Sequence, residues 1–376
     1  MTGGLNAAWC SLVIARLLFA MAGMAVPLSS QKTPLTFASP NHRTTHDLSP
    51  QLSNSEPGAG HLSEPYRIAS FPASVWFDAR WPTWAPGYFA RLSGGDFPSN
   101  LEVYDRSGKQ VSQAHISIPG ATELRLVAVA PTSVGGAIAS GQVAIDDRTT
   151  YFLAETSASG GVVSALHTET FLATRMCIAS DDTVWTLGRD SEKESEREGD
   201  YALVRQYSFE KGLLRSYLSR SLVDFRHKGV MGGSEGPNGT FLVCGKGRVS
   251  LYLNETNEYF EIDPSRESLK RWKIAMTPLA GGRVTGLAVT DKGRVYASLF
   301  ELQEEGDTKT HGLFELRAEP SASTGKWILV NGTLNSQPRV EDAPKGSFFR
   351  LWGADNEDLV IRRLFDADMS WVRVIP

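Results

Sequence analysis

From about residue 66 onward, hydrophobic and polar positions alternate with a period of two along most of the chain. Clear examples are RLVAVA (125–130), TFLVCG (240–245) and RVYASLF (294–300), which are rich in Val, Leu and aromatic residues and are bounded by Gly or Asp. Such runs are typical of β-strands. The charged run RDSEKESEREGD (189–200) could form a helical turn, but it has no apolar face. The pattern therefore predicts an all-β body.

Two series of turn sequences alternate between these strands. The first includes PNGT (237–240) and TDKGR (290–294), whose Asn-Gly and Lys-Gly pairs accept the positive φ of tight hairpins. The second, which includes DRSGKQ (105–110), follows some 25 to 30 residues later, and each series recurs about every 45 to 65 residues. A period of this size predicts a β-propeller, with six blades of four antiparallel strands over 65–376; seven blades are the alternative.

The last predicted blade, 348–376, is short by one strand. An unpaired sheet edge is unfavourable, so we expect the N-terminal stretch PYRIASF (65–71) to supply the missing strand and close the ring.

The succession of an apolar strand, an Asp-x-Gly or Asn-Gly turn and an aromatic-containing strand resembles six-bladed propellers of the NHL, SMP-30 and TolB-like kind. The resemblance covers most of residues 66–376 and rests on structural motifs. It implies a fold and no particular activity. No site residue is transferred from it.

The N-terminal residues differ in composition from the predicted propeller. Residues 1–28 contain an apolar run interrupted by Arg16, which predicts a signal peptide, with an uncleaved membrane anchor as the alternative. Residues 29–64 are rich in Ser, Pro and Thr and predict a disordered spacer. We therefore expect a secreted or periplasmic protein, or one anchored to a membrane by its N-terminus.

Charge and cysteine content narrow the choice of partner and compartment. A net charge of -4 argues against nucleic acid as the main partner, because phosphate binding needs a basic surface. Cys177 and Cys244 could pair in an oxidising compartment, or they could be two buried thiols.

Asn238, Asn254 and Asn331 each begin an Asn-x-Thr acceptor sequence for glycosylation. We expect a monomer.

The longer connections are predicted to lie on one face of the propeller, around the mouth of its channel. They are 189–200, 224–236, 301–312 and 331–347. Loops held by a rigid scaffold often carry function, so we expect the site on this face. His227 and Glu235 fall within it.

Four of the six predicted inner strands begin near an arginine, at Arg125, Arg175, Arg283 and Arg350. Guanidinium groups that meet in one small volume need an anion or carboxylates. We therefore predict an anionic ligand or an acidic side chain of a partner. In the alternative interpretation each arginine pairs locally with a loop carboxylate, such as Asp224, Glu235 or Glu301.

The sequence thus favours a non-catalytic exported propeller that binds an unknown ligand or protein at the long-loop face, with no cofactor. No catalytic residue is identified, and no acidic or His cluster occurs near the starts of the inner strands. The alternative is a metal-dependent hydrolase or lactonase, in which Asp224, Glu235 and Asn238 would hold a divalent ion at the channel mouth.

Overall fold

The computed structural model describes residues 59–72, 75, 83–94, 98–146, 148–195, 199–223, 239–245, 247–275, 283–302, 309–319, 321–330, 335–337, 349–363 and 368–376. The predicted signal or anchor segment and residues 29–58 of the predicted spacer lie outside this set. So do Asp224, His227, Glu235 and Asn238 and the side chain of Glu301.

The described strands follow one another in six units. Two short strands, β1 (His61–Leu62) and β2 (Arg67–Ala69), come first. Unit I is β3 (Thr83–Ala85), β4 (Tyr88–Ser93), β5 (Asn100–Asp105) and β6 (Gln110–His115). Unit II is β7 (Glu123–Pro131), β8 (Ala137–Ile145), β9 (Arg148–Thr156) and β10 (Val162–His167). Unit III is β11 (Phe171–Ile178), β12 (Val184–Asp190), β13 (Ala202–Ser208) and β14 (Gly212–Ser219).

The later units continue the series. Unit IV is β15 (Thr240–Gly245), β16 (Arg248–Leu253), β17 (Glu258–Asp263) and β18 (Ser268–Ala275). Unit V is β19 (Arg283–Val289), β20 (Val295–Leu302), β21 (Lys309–Glu319) and β22 (Thr324–Leu329), with β23 (Asn335–Gln337) paired to β21. Unit VI is β24 (Phe349–Asp355), β25 (Asp358–Arg363) and β26 (Met369–Ile375). The described helices are α1 (Ser191–Ser195) and a 3-10 helix (Arg220–Leu222).

These strands form five hydrogen-bonded sheets and not the six separate ones that the sequence predicted. Units I, II and III are four-stranded sheets. Units IV and V share one sheet, because Lys273–Ala275 of β18 pairs in parallel with Thr324–Lys326 of β22. The strand order in this sheet is β15-β16-β17-β18-β22-β21-β20-β19. The strands at its two ends, β15 and β19, contact each other. In the pairing of β18 with β22, two outer edges cover each other, which removes exposed backbone groups.

The predicted closing strand is confirmed. Arg67, Ile68 and Ala69 of β2 pair antiparallel with Trp371, Ser370 and Met369 of β26. Strand β1 pairs with the other end of β26, so the first strand among the described residues starts at His61, before the predicted boundary at residue 65.

Turn chemistry accounts for the hairpins that the sequence predicted. At the turn after β5, one carboxylate oxygen of Asp105 accepts hydrogen bonds from the backbone N–H groups of Ser107 and Lys109. Gly108 in the same turn has a φ of 87°, which favours glycine. Asp263 accepts from the backbone of Ser265 and Arg266 in the same manner after β17. Short side chains that bond to their own turn thus fix where β5 and β17 reverse.

The core lies between successive units, and one cluster of buried apolar residues fills each junction. Large members are Leu101 and Phe152 between I and II, Leu153 and Phe171 between II and III, Trp185 and Phe260 between III and IV, Trp272 and Phe314 between IV and V, Tyr296 and Leu351 between V and VI, and Trp371 and Phe89 between VI and I. The first strands of neighbouring units lie side by side. The fold is therefore all-β with a propeller-like arrangement.

Strand order also separates two kinds of connection. The first-to-second and third-to-fourth turns of the units leave from one end of the strands, and the remaining connections leave from the other. The charged run 189–200 is one of the latter, and part of it forms α1. The predicted loop 301–312 is shorter than expected, because β20 extends to Leu302 and β21 begins at Lys309. The predicted loop 331–347 includes β23.

Candidate ligand site on the inner strands

The first strands of four units share a local irregularity. The ladder to the second strand skips one residue between Leu126 and Ala128, Ala173 and Arg175, Val284 and Gly286, and Leu351 and Gly353. A β-bulge of this kind bends the strand and redirects the neighbouring side chains. Units II, III, V and VI therefore share a bulge in their first strands.

Three of the four predicted arginines occupy one equivalent position relative to this bulge. Arg125, Arg283 and Arg350 each come two residues before the bulged residue. Arg175 comes one residue after it and pairs with Leu187. The position of the other three is taken in unit III by Leu172. The sequence pattern does not distinguish Arg175 from the other three arginines, because the extra residue of a bulge does not change the hydrophobic pattern.

The three equivalent arginines are already engaged. Each has interaction partners in the folded chain, and the guanidinium carbon of Arg350 lies 5.9 Å from the ring centroid of Trp352. Arg350 also lies directly opposite Arg362, a buried arginine whose pKa is lowered by burial. That all four predicted guanidinium groups meet around one ligand stays a prediction.

Arg175 has a different environment. Its Nε donates to the carbonyl oxygen of Thr240 on β15 at 3.3 Å, and its Nη1 donates to the carbonyl oxygen of Thr174, the bulged residue, at 2.8 Å. Among the described residues, no carboxylate forms an ion pair with it. The side chain therefore spans the junction between units III and IV, where its hydrogen bonds to described residues all go to carbonyl groups.

The charge of Arg175 is only partly satisfied by these contacts. Burial in protein lowers the pKa of the Arg175 guanidinium, which is the effect of removing a cation from water. An arginine still keeps its proton at neutral pH. Two of its five N–H donors bond to carbonyl oxygens, and the residue as a whole retains some exposure to solvent. Arg175 thus combines a fixed positive charge with donors that a ligand oxygen could use.

A disulfide lies next to Arg175. Cys177 of β11 is bonded to Cys244 of β15, with a Cα–Cα distance of 5.6 Å, so the first of the two interpretations for these cysteines is the one the structure adopts. Arg175 pairs with Leu187 and Cys177 with Trp185, so the two side chains leave the same side of β11. Both reach towards unit IV.

The described residues contain no group of three or more His, Cys, Asp or Glu side chains that could hold a metal ion. In the same part of the chain, neither helix is long and apolar enough to cross a membrane.

A cavity that sequence reasoning missed lies on the face of the short turns. Its volume is about 340 Å³, and it lies between the β19–β20 and β24–β25 turns. Arg373 pairs with Asp358 at 2.7 Å, and Lys292 lies 3.9 Å from Glu357. No sequence signal marks it, because residues from the turns of two different units and from the C-terminal end of β26 form it. Its charges largely balance, and it lies at the opposite end of the strands from the predicted loops.

No family model matches the chain, and no curated protein matches it. Solved structures with a similar course of the chain include a protein of Bacteroides fragilis provisionally described as exported, with 10% identity, a TM-score of 0.48, and coverage of 86% of this chain and 98% of that one. The major allergen Mala s 1 of Malassezia sympodialis has 11% identity, a TM-score of 0.39, and coverage of 78% and 92%. A provisionally assigned 6-phosphogluconolactonase of Bacteroides fragilis has 11% identity, a TM-score of 0.33, and coverage of 73% and 87%. We take no function from these likenesses.

Proposed function

We propose that this chain is an exported, non-catalytic propeller that binds an anionic group of a ligand or protein partner at its inner strands, with Arg175 as the principal contact. The observation that carries the proposal is a partly buried guanidinium that spans units III and IV and is bonded to two carbonyl oxygens, with no carboxylate partner among the described residues. A buried charge is costly unless an opposite charge satisfies it. An anion at this position would supply that charge.

The chemistry of the remaining donors indicates the kind of ligand. A guanidinium presents a planar fork that matches the two oxygens of a carboxylate or a phosphate. Lysine would place the same charge without that geometry. The proposed ligand group is therefore an oxyanion, and Arg125, Arg283, Arg350, His227 and Glu235 are kept as candidate residues around it.

The proposal includes six blades. The merged sheet contains two complete four-strand meanders, β15–β18 and β19–β22, and each packs against its neighbours through its own apolar cluster. Counting each meander as a blade, with β2 completing unit VI, gives six. The parallel pairing of β18 with β22 is then an additional link between the outer edges of blades IV and V.

Export is supported by the Cys177–Cys244 disulfide, because disulfides persist mainly in oxidising compartments. Fractionation of cells that produce the full chain, followed by N-terminal sequencing of the purified protein, tests it. Recovery in the extracellular or periplasmic fraction with residues before 29 removed supports export with cleavage. Recovery in the membrane fraction with an intact N-terminus supports the anchor.

The anion proposal is tested by titrating the protein with acetate, citrate and inorganic phosphate by calorimetry. We expect saturable binding of at least one anion, weakened about tenfold or more in Arg175→Gln, since hydrogen bonds to a charged group contribute about 1.5–3 kcal/mol. Arg175→Lys should lose part of the affinity. Arg317→Gln, which removes an exposed arginine from β21, is the matched control and should bind as the wild type does. Equal affinity in Arg175→Gln and the control would refute the role of Arg175.

Metal analysis of the same sample decides between binding and metal-dependent hydrolysis. We expect no stoichiometric divalent ion. One ion per chain, lost in Asp224→Asn or Glu235→Gln, would replace the binding proposal by the hydrolase or lactonase alternative.

A further inference from the structure

The junction between units III and IV differs from the II–III and V–VI junctions in the side chain that makes its inner polar contact. At the II–III junction the hydroxyl of Ser140 donates to the carbonyl of Ala173 at 2.6 Å. At the V–VI junction the backbone N–H of Leu351 donates to the hydroxyl of Ser298 at 3.1 Å. Short, buried side chains thus connect those units close to the ring centre. Between III and IV the inner polar contact is made by the long Arg175 side chain.

A long side chain does not by itself fix the distance between the two strands that it connects. Arginine has several rotatable bonds, and its ordering costs conformational entropy. The contact from Nε to the Thr240 oxygen, at 3.3 Å, is also at the long end of the hydrogen-bond range. Something else must therefore fix the separation of β11 and β15 if Arg175 is to stay in one position.

The Cys177–Cys244 disulfide meets that requirement. It joins the same two strands, and it lies two residues beyond Arg175 on β11 and four residues beyond Thr240 on β15. Both sulfur-bearing side chains are partly buried against the apolar cluster of this junction. The disulfide and Arg175 therefore both connect β11 with β15, the disulfide by a covalent bond and Arg175 by a hydrogen bond.

The rest of the junction has its own support. On the outer side, Arg215 of β14 donates to the carbonyl oxygen of Pro264 at 2.8 Å and pairs with Glu267 at 2.8 Å. The buried cluster that includes Trp185, Leu251 and Phe260 lies between the two sheets. Loss of the disulfide should therefore loosen the inner edge of the junction while the units stay packed.

We infer that the Cys177–Cys244 disulfide is the positioning element of Arg175, so that the anion site is assembled only in the oxidised protein. The binding half of this inference rests on the proposed function; the positioning half does not. A dithiol reductant would deliver two electrons and two protons to the S–S bond, forming two thiols while the dithiol itself becomes a disulfide. The released β11 and β15 would then separate enough to break the contact of Arg175 with Thr240.

The experiment follows the Nε–H signal of Arg175 by NMR in the intact protein, assigned by its disappearance in Arg175→Lys. Its exchange with solvent is measured before and after dithiothreitol and in Cys177→Ser/Cys244→Ser. The Nε–H of Arg271, which donates to Glu258 at 2.9 Å in β17–β18, is the internal control. We expect exchange at Arg175 to become at least about tenfold faster on reduction, with Arg271 unchanged. Acetate, citrate and phosphate affinities are measured on the same samples.

The outcomes separate the two proposals. Faster exchange at Arg175 together with a loss of anion affinity supports both. Faster exchange in a protein whose oxidised form binds none of the anions supports positioning and refutes the proposed function. Unchanged exchange at Arg175 in reduced protein overturns the positioning inference whatever binds. An equal change at Arg175 and Arg271 also overturns it, since the disulfide would then hold the whole fold.

Discussion

The side-chain amide of Asn254, in the turn between β16 and β17 of unit IV, forms two hydrogen bonds with the backbone of a single residue of unit V, Val284. Its Nδ2 donates to the Val284 carbonyl at 2.8 Å, and its Oδ1 accepts from the Val284 N–H at 3.0 Å. The amide thereby acts as one more backbone unit at the edge of β19. Because this Nδ2 is occupied, Asn254 is a poor acceptor for glycosylation despite its Asn-x-Thr sequence.

Replacement of Asn254 by aspartate should destabilise the protein. Asn254→Asp keeps the acceptor for the Val284 N–H but sets a carboxylate oxygen against the Val284 carbonyl. An unsatisfied buried polar group costs about 1–3 kcal/mol, and we expect a loss in that range in urea unfolding. Asn100→Asp is the control, because the Asn100 side chain bonds only to exposed His115 at 2.8 Å in the described contacts. Equal losses in both variants would contradict the role given to Asn254.

Gly286 lies at a close approach between units V and VI. A Cβ atom added there would lie 1.9 Å from the carbonyl oxygen of Leu351. Gly286→Ala must push two inner strands apart, and overpacking of this kind costs about 1–3 kcal/mol or more. At Gly161, by contrast, the nearest atom would be the Ser157 hydroxyl at 3.7 Å.

Thermal unfolding of the two alanine variants tests this contact. Gly161→Ala should unfold close to the wild type, and Gly286→Ala clearly below it. A Gly286→Ala protein as stable as Gly161→Ala would show that the first strands are not packed as described.

The features predicted best from the sequence are those formed by residues close together along the chain. Period-two runs and Gly or Asp turns identify hairpins, because both strands and their turn are local. The pairing of β2 with β26 was also predicted, since unit VI is short by one strand and PYRIASF (65–71) lies before the first predicted blade. The parallel pairing of β18 with β22 was not, because the two strands are separated by most of unit V and no turn signal connects them.

The candidate site was predicted in outline and missed in detail. Arginines near the starts of inner strands were visible, but a bulge adds one residue without changing composition. Arg175 was therefore grouped with Arg125, although it lies on the other side of the bulge. The Cys177–Cys244 pairing was left open because 67 residues separate the two cysteines and only the fold brings β11 beside β15.

Removal of the disulfide should lower stability as well as loosen Arg175. A crosslink between residues 67 apart lowers the conformational entropy of the unfolded chain. In the chain-entropy account this raises the free energy of unfolding by about 4 kcal/mol. We expect Cys177→Ala/Cys244→Ala to lose up to that amount in urea unfolding, with the fold retained through the apolar cluster between units III and IV. The wild type measured with dithiothreitol should give the same value. An unchanged stability in both would argue against a disulfide in the native protein.

The stability contributed by Tyr66, next to the closing strand β2, should depend on pH in the alkaline range. The Tyr66 hydroxyl donates to the Asp358 carboxylate, which also accepts from Arg373 Nε at 2.7 Å. Burial, with further contributions from the hydrogen bond to Asp358 and from its charge, raises the pKa of Tyr66 to about 12. In the unfolded chain a tyrosine titrates near pH 10. The folded state therefore holds this proton more tightly, and the resulting stabilisation is complete below about pH 10 and is lost as the pH rises through about 12.

A double-mutant cycle isolates this contribution from those of other tyrosines and of lysines. The cycle compares wild type, Tyr66→Phe, Asp358→Asn and the double variant by urea unfolding at several pH values from 8 to 12. We expect the coupling free energy between the two side chains to be favourable at pH 8 and to decline above pH 10. Tyr66 is 54% exposed, so solvent screening keeps the coupling small. A coupling that stays constant up to pH 12, or one that grows, would mean that the Tyr66 phenol does not hold the Asp358 carboxylate of β25.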